Sequence, residues 1–317
     1  GGDGYLGWPT TMHFALSGHE VLTVDNHLHR KIARETLSDP LLKTPLLSAK
    51  CKEFKKLYGI EVLYKIIDLA VYENVENLFK DFDPEIIIHY AEQPSAPYSM
   101  MGIKESKLTL NNNLNVTFNC LWAMKEHCLN AHLIKLGTMG EYGTPNIDIE
   151  EGWIEVTHNG RKDKFLYPRA GASLYHTTKV LDTDLIWFYV RTFGLKVTDL
   201  MQGPVYGIHT LPNTVNDKIL PNFHYDDIFG TVINRFIVQI VANVPLTVYG
   251  QGGQTRGYLN ILDTLQCVEL AAKEKVESGK LTIMNQFTET FSVNELAQKI
   301  STVAAEMGIK SNINNIE

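Results

Sequence analysis

Gly1-Gly2-Asp3-Gly4-Tyr5-Leu6-Gly7, followed by Val21-Leu22-Thr23-Val24-Asp25, is the stretch whose reading decides the fold. Glycines at positions 1, 4 and 7 let a backbone turn tightly and approach a pyrophosphate, which then rests on the N-terminus of a helix. Gly1, Gly4 and Gly7 are therefore expected to hold a dinucleotide. Val21 to Val24 reads as a strand ending at Asp25, whose carboxylate would accept hydrogen bonds from adenosine ribose hydroxyls. It would also repel a 2′-phosphate, which favours NAD over NADP. A strand should precede the glycines and would be the central one of the sheet, so an apolar extension before Gly1 is expected.

The alternation continues beyond Asp25. Val62 to Ile67 reads as a strand ending at Asp68, which would lie beside the adenine. Glu73 to Phe82 reads as a helix and Ile86-Ile87-Ile88-His89-Tyr90 as a strand buried on both faces of a parallel sheet. Strand and helix alternating in this way mean an α/β fold with a doubly wound parallel Rossmann sheet. Its ligand edge is the carboxyl end of the strands, where Ala91 to Tyr98 falls; Gln93 and Ser95 there are candidates for the substrate pocket. Asn26 to Tyr58 reads as helix-poor, broken by Pro40 and Pro45, and is expected to be a mobile flap. Asn111, Asn112, Asn113 and Asn115 cluster on a predicted helix running to about His127 although asparagine is a poor helix former. Asn113 is expected to face the active site.

His132 to Leu136 is the next strand, and it delivers Thr138 to the ligand edge. Tyr175-His176-Thr177-Thr178-Lys179 places a phenol and an ammonium four positions apart on one helix face. Lys179 would favour the ionised form of Tyr175 and lower its pKa. A sugar hydroxyl bridged by Thr138 and Tyr175 could then lose its proton to Tyr175 while its carbon gives up hydride. Between them, Ile154 to His158 and Arg161 to Phe165 flank Asn159-Gly160, the signature of a type I′ hairpin, expected to roof the site.

Lys196 to Leu200 reads as a strand running into Met201-Gln202-Gly203, with Gln202 a further substrate-pocket candidate. Segments then shorten, which divides the chain into a Rossmann domain over residues 1–203 and a smaller substrate-binding α/β region over 204–317, part of 258–285 returning to the first. Arg256, projected from Gln251-Gly-Gly-Gln-Thr-Arg256, suits a bidentate clamp on a diphosphate. A helix begins near Ser292, and the chain reaches Glu317 without an obvious closing element, so a truncated C-terminus is expected.

A net charge of -7 argues against a nucleic-acid surface, leaving small molecules or copies of the same chain as partners. Cys51, Cys120, Cys128 and Cys267 show no metal-binding spacing, so no metal is expected, and they suit reduced thiols in a cytoplasmic protein. No apolar run is long enough for a membrane span.

The glycine motif, Asp25, Asp68, Thr138, Tyr175/Lys179 and Arg256 stand in an order that resembles the extended short-chain dehydrogenase/reductases acting on nucleotide sugars. Within that family the likeness is finest in Gly137-Thr-Met-Gly-Glu-Tyr-Gly-Thr-Pro145, Glu92-Gln93, Ser95-Ala-Pro-Tyr-Ser-Met100, Tyr249 to Tyr258 and Asn285-Gln-Phe-Thr-Glu289. These runs resemble the subgroup that makes a sulfonated sugar nucleotide from UDP-glucose and sulfite with NAD. The resemblance implies C4 oxidation by Tyr175, Thr138 and Lys179, loss of the C5 proton and C6 hydroxyl, sulfite addition at C6, and return of hydride to C4. It also implies a homodimer through the helices around Asn111 to His127 and Ser173 to Arg191, and brings with it a hydrolase class. Related 4,6-dehydratases follow the Thr with Asp-Glu, where this chain has Met139-Gly140. Neither can move a proton, so His176, with an ordinary pKa near 6.5, is the candidate base at C5. Pro94 replaces a basic residue of plant members, so sulfite would rely on other donors. A UDP-hexose 4-epimerase, which needs the same Thr/Tyr/Lys set, stays open, as does a catalytically silent NAD-binding scaffold.

Overall fold

The computed structural model describes residues 1–210 and 216–316. Helix α1 (Gly7–Leu16) opens directly from the glycine turn and leads to β1 (Leu22–Asp25), which pairs in parallel with β2 (Leu63–Ile66). The connection between those strands is helical rather than a flap. It holds α2 (Leu28–Glu35) and α3 (Leu47–Tyr58), with Pro40 and Pro45 between the two helices instead of inside one. Leu47, Cys51 and Phe54 pack on Trp8 and Met12, which fixes the segment in a core of its own. Lys50 is fully buried there because its ammonium reaches the Asp3 carboxylate at 2.9 Å, and Arg30 bonds the same carboxylate.

Helix α4 (Tyr72–Phe82), β3 (Ile86–His89), the single turn α5 (Ala96–Ser99), α6 (Ile103–His127) and β4 (His132–Thr138) follow. Next come the hairpin β5 (Trp153–His158) and β6 (Arg161–Leu166), α7 (Leu174–Phe193), β7 (Lys196–Gln202) and β8 (Val205–Tyr206). Asn159 and Gly160 both have positive φ, 49° and 71°, as a type I′ turn requires. The last part contains α8 (Val232–Val241), β9 (Leu246–Tyr249), β10 (Thr255–Asn260), α9 (Ile261–Lys273), β11 (Leu281–Gln286), β12 (Glu289–Ser292), α10 (Val293–Glu306) and β13 (Ile313–Ile316).

The main sheet runs β11-β7-β4-β3, parallel throughout. Its strands β4 and β7 are buried almost throughout because both faces are covered. Val75, Leu121 and Ile186 bring α4, α6 and α7 onto one side, while Phe14 and Val268 bring α1 and α9 onto the other. The doubly wound Rossmann arrangement is thus present, with β11 and α9 joining the sheet from late in the sequence. A smaller body is built from the mixed sheet β12-β10-β8, from β9 and from α8 and α10, around Phe236, Val248 and Leu296. In this body β13 pairs in parallel with β9.

Among the described residues no strand lies between β1 and β3. A cavity of about 360 Å³ separates them, lined by Leu22 to Val24 on one side and Ile86 to Tyr90 on the other. The glycine turn bridges it from the top, with Gly2 N donating to Val24 O at 2.9 Å.

Candidate active site

A second cavity of about 670 Å³ opens over the carboxyl ends of β1, β3, β4 and β7, the edge at which doubly wound sheets bind ligands. Gly1, Gly4 and Gly7 line it. A Cβ on Gly7 would run into the Gly1 carbonyl, so only a bare backbone permits this turn at the start of α1. Asp25 also lines the cavity. Its carboxylate is already oriented by the backbone amides of Asp3 (2.9 Å) and His27 (2.6 Å). Asp68 is exposed and accepts from Asn26 Nδ2 at 3.3 Å, beside Ile67 and Leu69, which do line the cavity.

Thr138, Tyr175, His176 and Lys179 meet at the centre of the cavity. Thr138 ends β4, where its hydroxyl oxygen accepts from Gly140 N at 3.1 Å. Glu141 returns a carboxylate oxygen to Thr138 N at 3.2 Å, completing a capping box. That carboxylate is fully buried and held by Lys135 (3.3 Å) and Arg169 (3.3 Å), while Asp199 faces Lys135 from β7. Thr138 therefore stands on a buried ionic network.

The reaction pair is arranged differently from the expectation. Lys179 lies 5.9 Å from the Tyr175 ring centre, but its ammonium donates to Leu136 O at 2.6 Å and pairs with Glu92 Oε1 at 2.6 Å. Burial, reinforced by the Glu92 charge, pushes the Tyr175 phenol above its usual pKa, so the lowering expected from Lys179 is not found. For Lys179 itself burial works against the charge, and neighbouring acidic groups, Glu92 foremost, outweigh it to hold the ammonium above its usual range.

His176 follows Tyr175 by about 100° around the helix, yet both reach the cavity, their rings 5.1 Å apart. Ser173 Oγ and His176 Nδ1 are 2.9 Å apart. The other ring edge lies against Gly140: a Cβ there would overlap Nε2 and Cδ2. Burial, with help from Arg256 and Lys179, lowers the His176 pKa and keeps it in the neutral, proton-accepting form.

The remaining candidates divide. Arg256 is exposed on β10, its guanidinium bonded within the described residues only to Thr255 O (3.0 Å), and it lines the cavity. Gln202 lines it too, with its amide turned to Thr264 and Gln286. Gln93 and Ser95 line it, but Gln93 Nε2 donates to Thr109 Oγ1 at 2.8 Å and Ser95 Oγ donates to Ile228 O at 2.5 Å, so both shape the loop after β3. Asn113 does not reach the cavity. It is a strut whose amide bonds Gln93 N and Thr178 Oγ1, and its neighbour Asn112 lines the cavity instead. The hairpin β5–β6 is no roof: Trp153 packs edge-on to Trp187 of α7 at 4.9 Å, and no hairpin residue lines the cavity. Glu92, Glu141, Lys135 and Asp199 were missed. The Thr138-x-x-Glu141 capping pattern was available in the sequence; the pairing of Glu92 with Lys179 depends on tertiary proximity.

The sequence model of the "NAD dependent epimerase/dehydratase family" matches residues 1–285. The chain is 43% identical over 309 residues to UDP-sulfoquinovose synthase, chloroplastic, of Spinacia oleracea, covering 98% of this chain and 64% of that one. It is 39% identical over 316 residues to UDP-sulfoquinovose synthase of Sulfolobus acidocaldarius, covering 99% and 80%. The chain thus spans a little under two thirds of the spinach relative and four fifths of the archaeal one. None of these descriptions is that of a hydrolase, and that expectation is dropped. Among solved structures, a Thermotoga maritima UDP-glucose 4-epimerase with UDP-glucose superposes with a TM-score of 0.71 at 19% identity, covering 100% of this chain and 84% of that one. A Thermus thermophilus UDP-glucose 4-epimerase complexed with NAD gives 0.67 at 22%, covering 99% and 84%. At these identities the likeness is one of fold.

Proposed function

The chain belongs to the NAD dependent epimerase/dehydratase family, and from that premise we propose that it is an NAD-dependent enzyme converting UDP-glucose and sulfite to UDP-sulfoquinovose. The observation that carries this reading is the His176 imidazole lying where a side chain at position 140 would project, beside Thr138, Tyr175 and Lys179. The base that an Asp-Glu pair would supply after the Thr comes here from the helix instead.

The residues fit the cofactor. The Gly7 and Gly1 backbones leave a cradle that a Cβ would fill, and Asp25 stands preset at the end of β1 in the same cavity. NAD held there would supply the acceptor for hydride from C4 of the sugar and the donor that restores it. In its phenolate form Tyr175 would receive the proton of the C4 hydroxyl, with Thr138 holding that hydroxyl, and later give the proton back. The C4 ketone acidifies C5, and His176 takes that proton through its free Nε2. The C5 proton and the C6 hydroxyl together make the water that leaves. Bisulfite then adds at C6 of the 4-keto-5-ene through its sulfur, and its proton goes to C5 through His176. Arg256 binds the diphosphate at the cavity mouth. There is no net redox change, so the cofactor stays bound through the cycle.

A homodimer is part of this reading. Phe118, Trp122, Leu181 and Phe188 are exposed on α6 and α7, a large apolar face that a second copy would cover. Light scattering of Trp122→Arg against the parent tests it; an unchanged mass in both would argue for a monomer. The four free thiols agree with a cytoplasmic setting, to be tested by fractionation.

Incubation with UDP-glucose, NAD and sulfite followed by mass spectrometry tests the activity. Sulfite-dependent UDP-sulfoquinovose supports it; UDP-galactose formed without sulfite makes the chain a 4-epimerase instead.

A further inference from the structure

We propose that Glu92 is a positioning residue: its carboxylate binds the Lys179 ammonium and determines how much of that positive charge reaches the Tyr175 phenol. The inference rests on the reading of Tyr175 as proton acceptor. Glu92 Oε1 and Lys179 Nζ are 2.6 Å apart, and their side chains are only 3% and 5% exposed. Such a buried pair is weakly screened, and each group offsets much of the other's charge. Lys179 spends a second N–H on Leu136 O at 2.6 Å, so the ammonium is pinned from both sides and stays 5.9 Å from the phenol ring. Glu92 in turn is fixed near His89 Nε2 at 3.7 Å, and His89 is tied to Thr117 Oγ1 at 3.0 Å. Neither Glu92 oxygen has a hydrogen bond of good geometry within the described residues, so the carboxylate is held by charge and packing.

The other charged groups that act on the phenol, Lys135, Glu141 and Asp182, contribute less than Glu92. Lys135 comes from β4 and is matched by Glu141 and Asp199. Asp182, one turn beyond Lys179 on α7, is fully buried and its pKa is raised well above the usual range by burial and by Glu92, which favours its protonated, neutral form. His176 on α7 is kept neutral, and Arg256 on β10 is at the exposed mouth. Glu92 is therefore the carboxylate that decides whether Lys179 acts on Tyr175. A closed Glu92–Lys179 pair keeps Tyr175 a phenol at rest. A group that draws Glu92 away, or adds positive charge beside it, makes Tyr175 a base. An enzyme that oxidises and re-reduces the same carbon needs its base to take a proton and return it, and a pairing of this kind supports both directions.

The test uses Tyr175 itself. With carbon-13 tyrosine, the Tyr175 resonance, identified by its loss in Tyr175→Phe, is followed against pH in the protein without added nucleotide. In the parent chain it should not titrate below the alkaline limit of the fold. In Glu92→Gln, near-isosteric and uncharged, a Tyr175 titration should appear below that alkaline limit, since one opposing charge is gone and the ammonium is released. The pH profile of the first hydride transfer to NAD should shift in the same direction. Glu92→Asp, which keeps the charge, should return both towards the parent, and it carries the same readout if Glu92→Gln does not fold. An unmoved Tyr175 resonance in folded Glu92→Gln, or a Glu92→Asp as shifted as Glu92→Gln, overturns the proposal. Loss of sulfosugar formation with a shifted resonance would count against the activity and leave this inference standing.

Discussion

The His176 imidazole occupies the space into which any side chain at position 140 would grow, so Gly140 and His176 are two halves of one feature. The ring has little freedom to retreat, since Nδ1 is held by Ser173 Oγ at 2.9 Å. Gly140→Ala is expected to displace the ring and slow sulfosugar formation by about 100-fold, the scale that a 1 Å misplacement produces. The first hydride transfer, which needs Thr138 and Tyr175, should change little. Stopped-flow absorbance of the nicotinamide separates the two; equal loss in both would show that Gly140 serves the fold alone.

His176→Ala should leave C4 oxidation running while C5 proton exchange falls by about 100- to 10,000-fold, the usual contribution of a general base. Mass spectrometry of UDP-glucose recovered from deuterium oxide reads the exchange directly. Parent-like exchange in the variant would remove His176 from the reaction.

Arg256 has donors to spare and lines the cavity mouth, so Arg256→Lys keeps the charge and loses the planar fork. KM for UDP-glucose should rise about 10- to 100-fold, as expected for charge-assisted hydrogen bonds. The value of kcat should hold. A fall in kcat at unchanged KM would place Arg256 elsewhere in the cycle.

Glu141 is fully buried between Lys135 and Arg169. Glu141→Ala leaves buried Arg169 without its carboxylate and Lys135 with Asp199 alone, and should destabilise the chain by about 3–5 kcal/mol, measured by urea unfolding. A loss below about 1 kcal/mol would mean that water reaches the network.

Burial drops the His89 pKa from 6.5 to about 4 in the folded chain. Once unfolded, the ring protonates near 6.5, so between those values the unfolded state binds the extra proton and stability falls as pH falls. The loss between pH 6.5 and 5 should be about 2 kcal/mol from this residue, at 1.36 kcal/mol per unit. His29, lowered by burial to about 3, acts in the same direction. Urea midpoints of His89→Gln at the two pH values should lie closer together than those of the parent; an equal spacing would contradict the assignment.

The sheet and its ligand edge were legible because they are written in short-range pattern. Ile86 to His89 is apolar on both faces, and Asn159-Gly160 announces its own turn. Thr138, Tyr175 and Lys179 could be placed together because strand ends and helix spacing are local rules. The failures are those of tertiary neighbours. Lys179 was assigned to Tyr175 from spacing alone, whereas the Glu92 carboxylate, brought over by β3, captures its charge. Asn113 was read as facing the site, and its amide instead satisfies Gln93 and Thr178 backbone and hydroxyl groups that no sequence pattern announces. Two prolines suggested a loose segment between Asn26 and Tyr58, but they punctuate two packed helices.

The glycine turn is anchored from far along the chain. Trp8 Nε1 donates to Ile219 O at 2.7 Å and Asn222 Nδ2 donates to Asp3 O at 3.0 Å, across 211 and 219 residues of sequence. A fragment ending at residue 203 would leave both groups without these partners inside a dry core, a loss comparable to an unmade buried hydrogen bond at each. The turn at the start of the chain therefore acquires its full set of hydrogen-bond partners only once the segment around Asn222 has joined the fold.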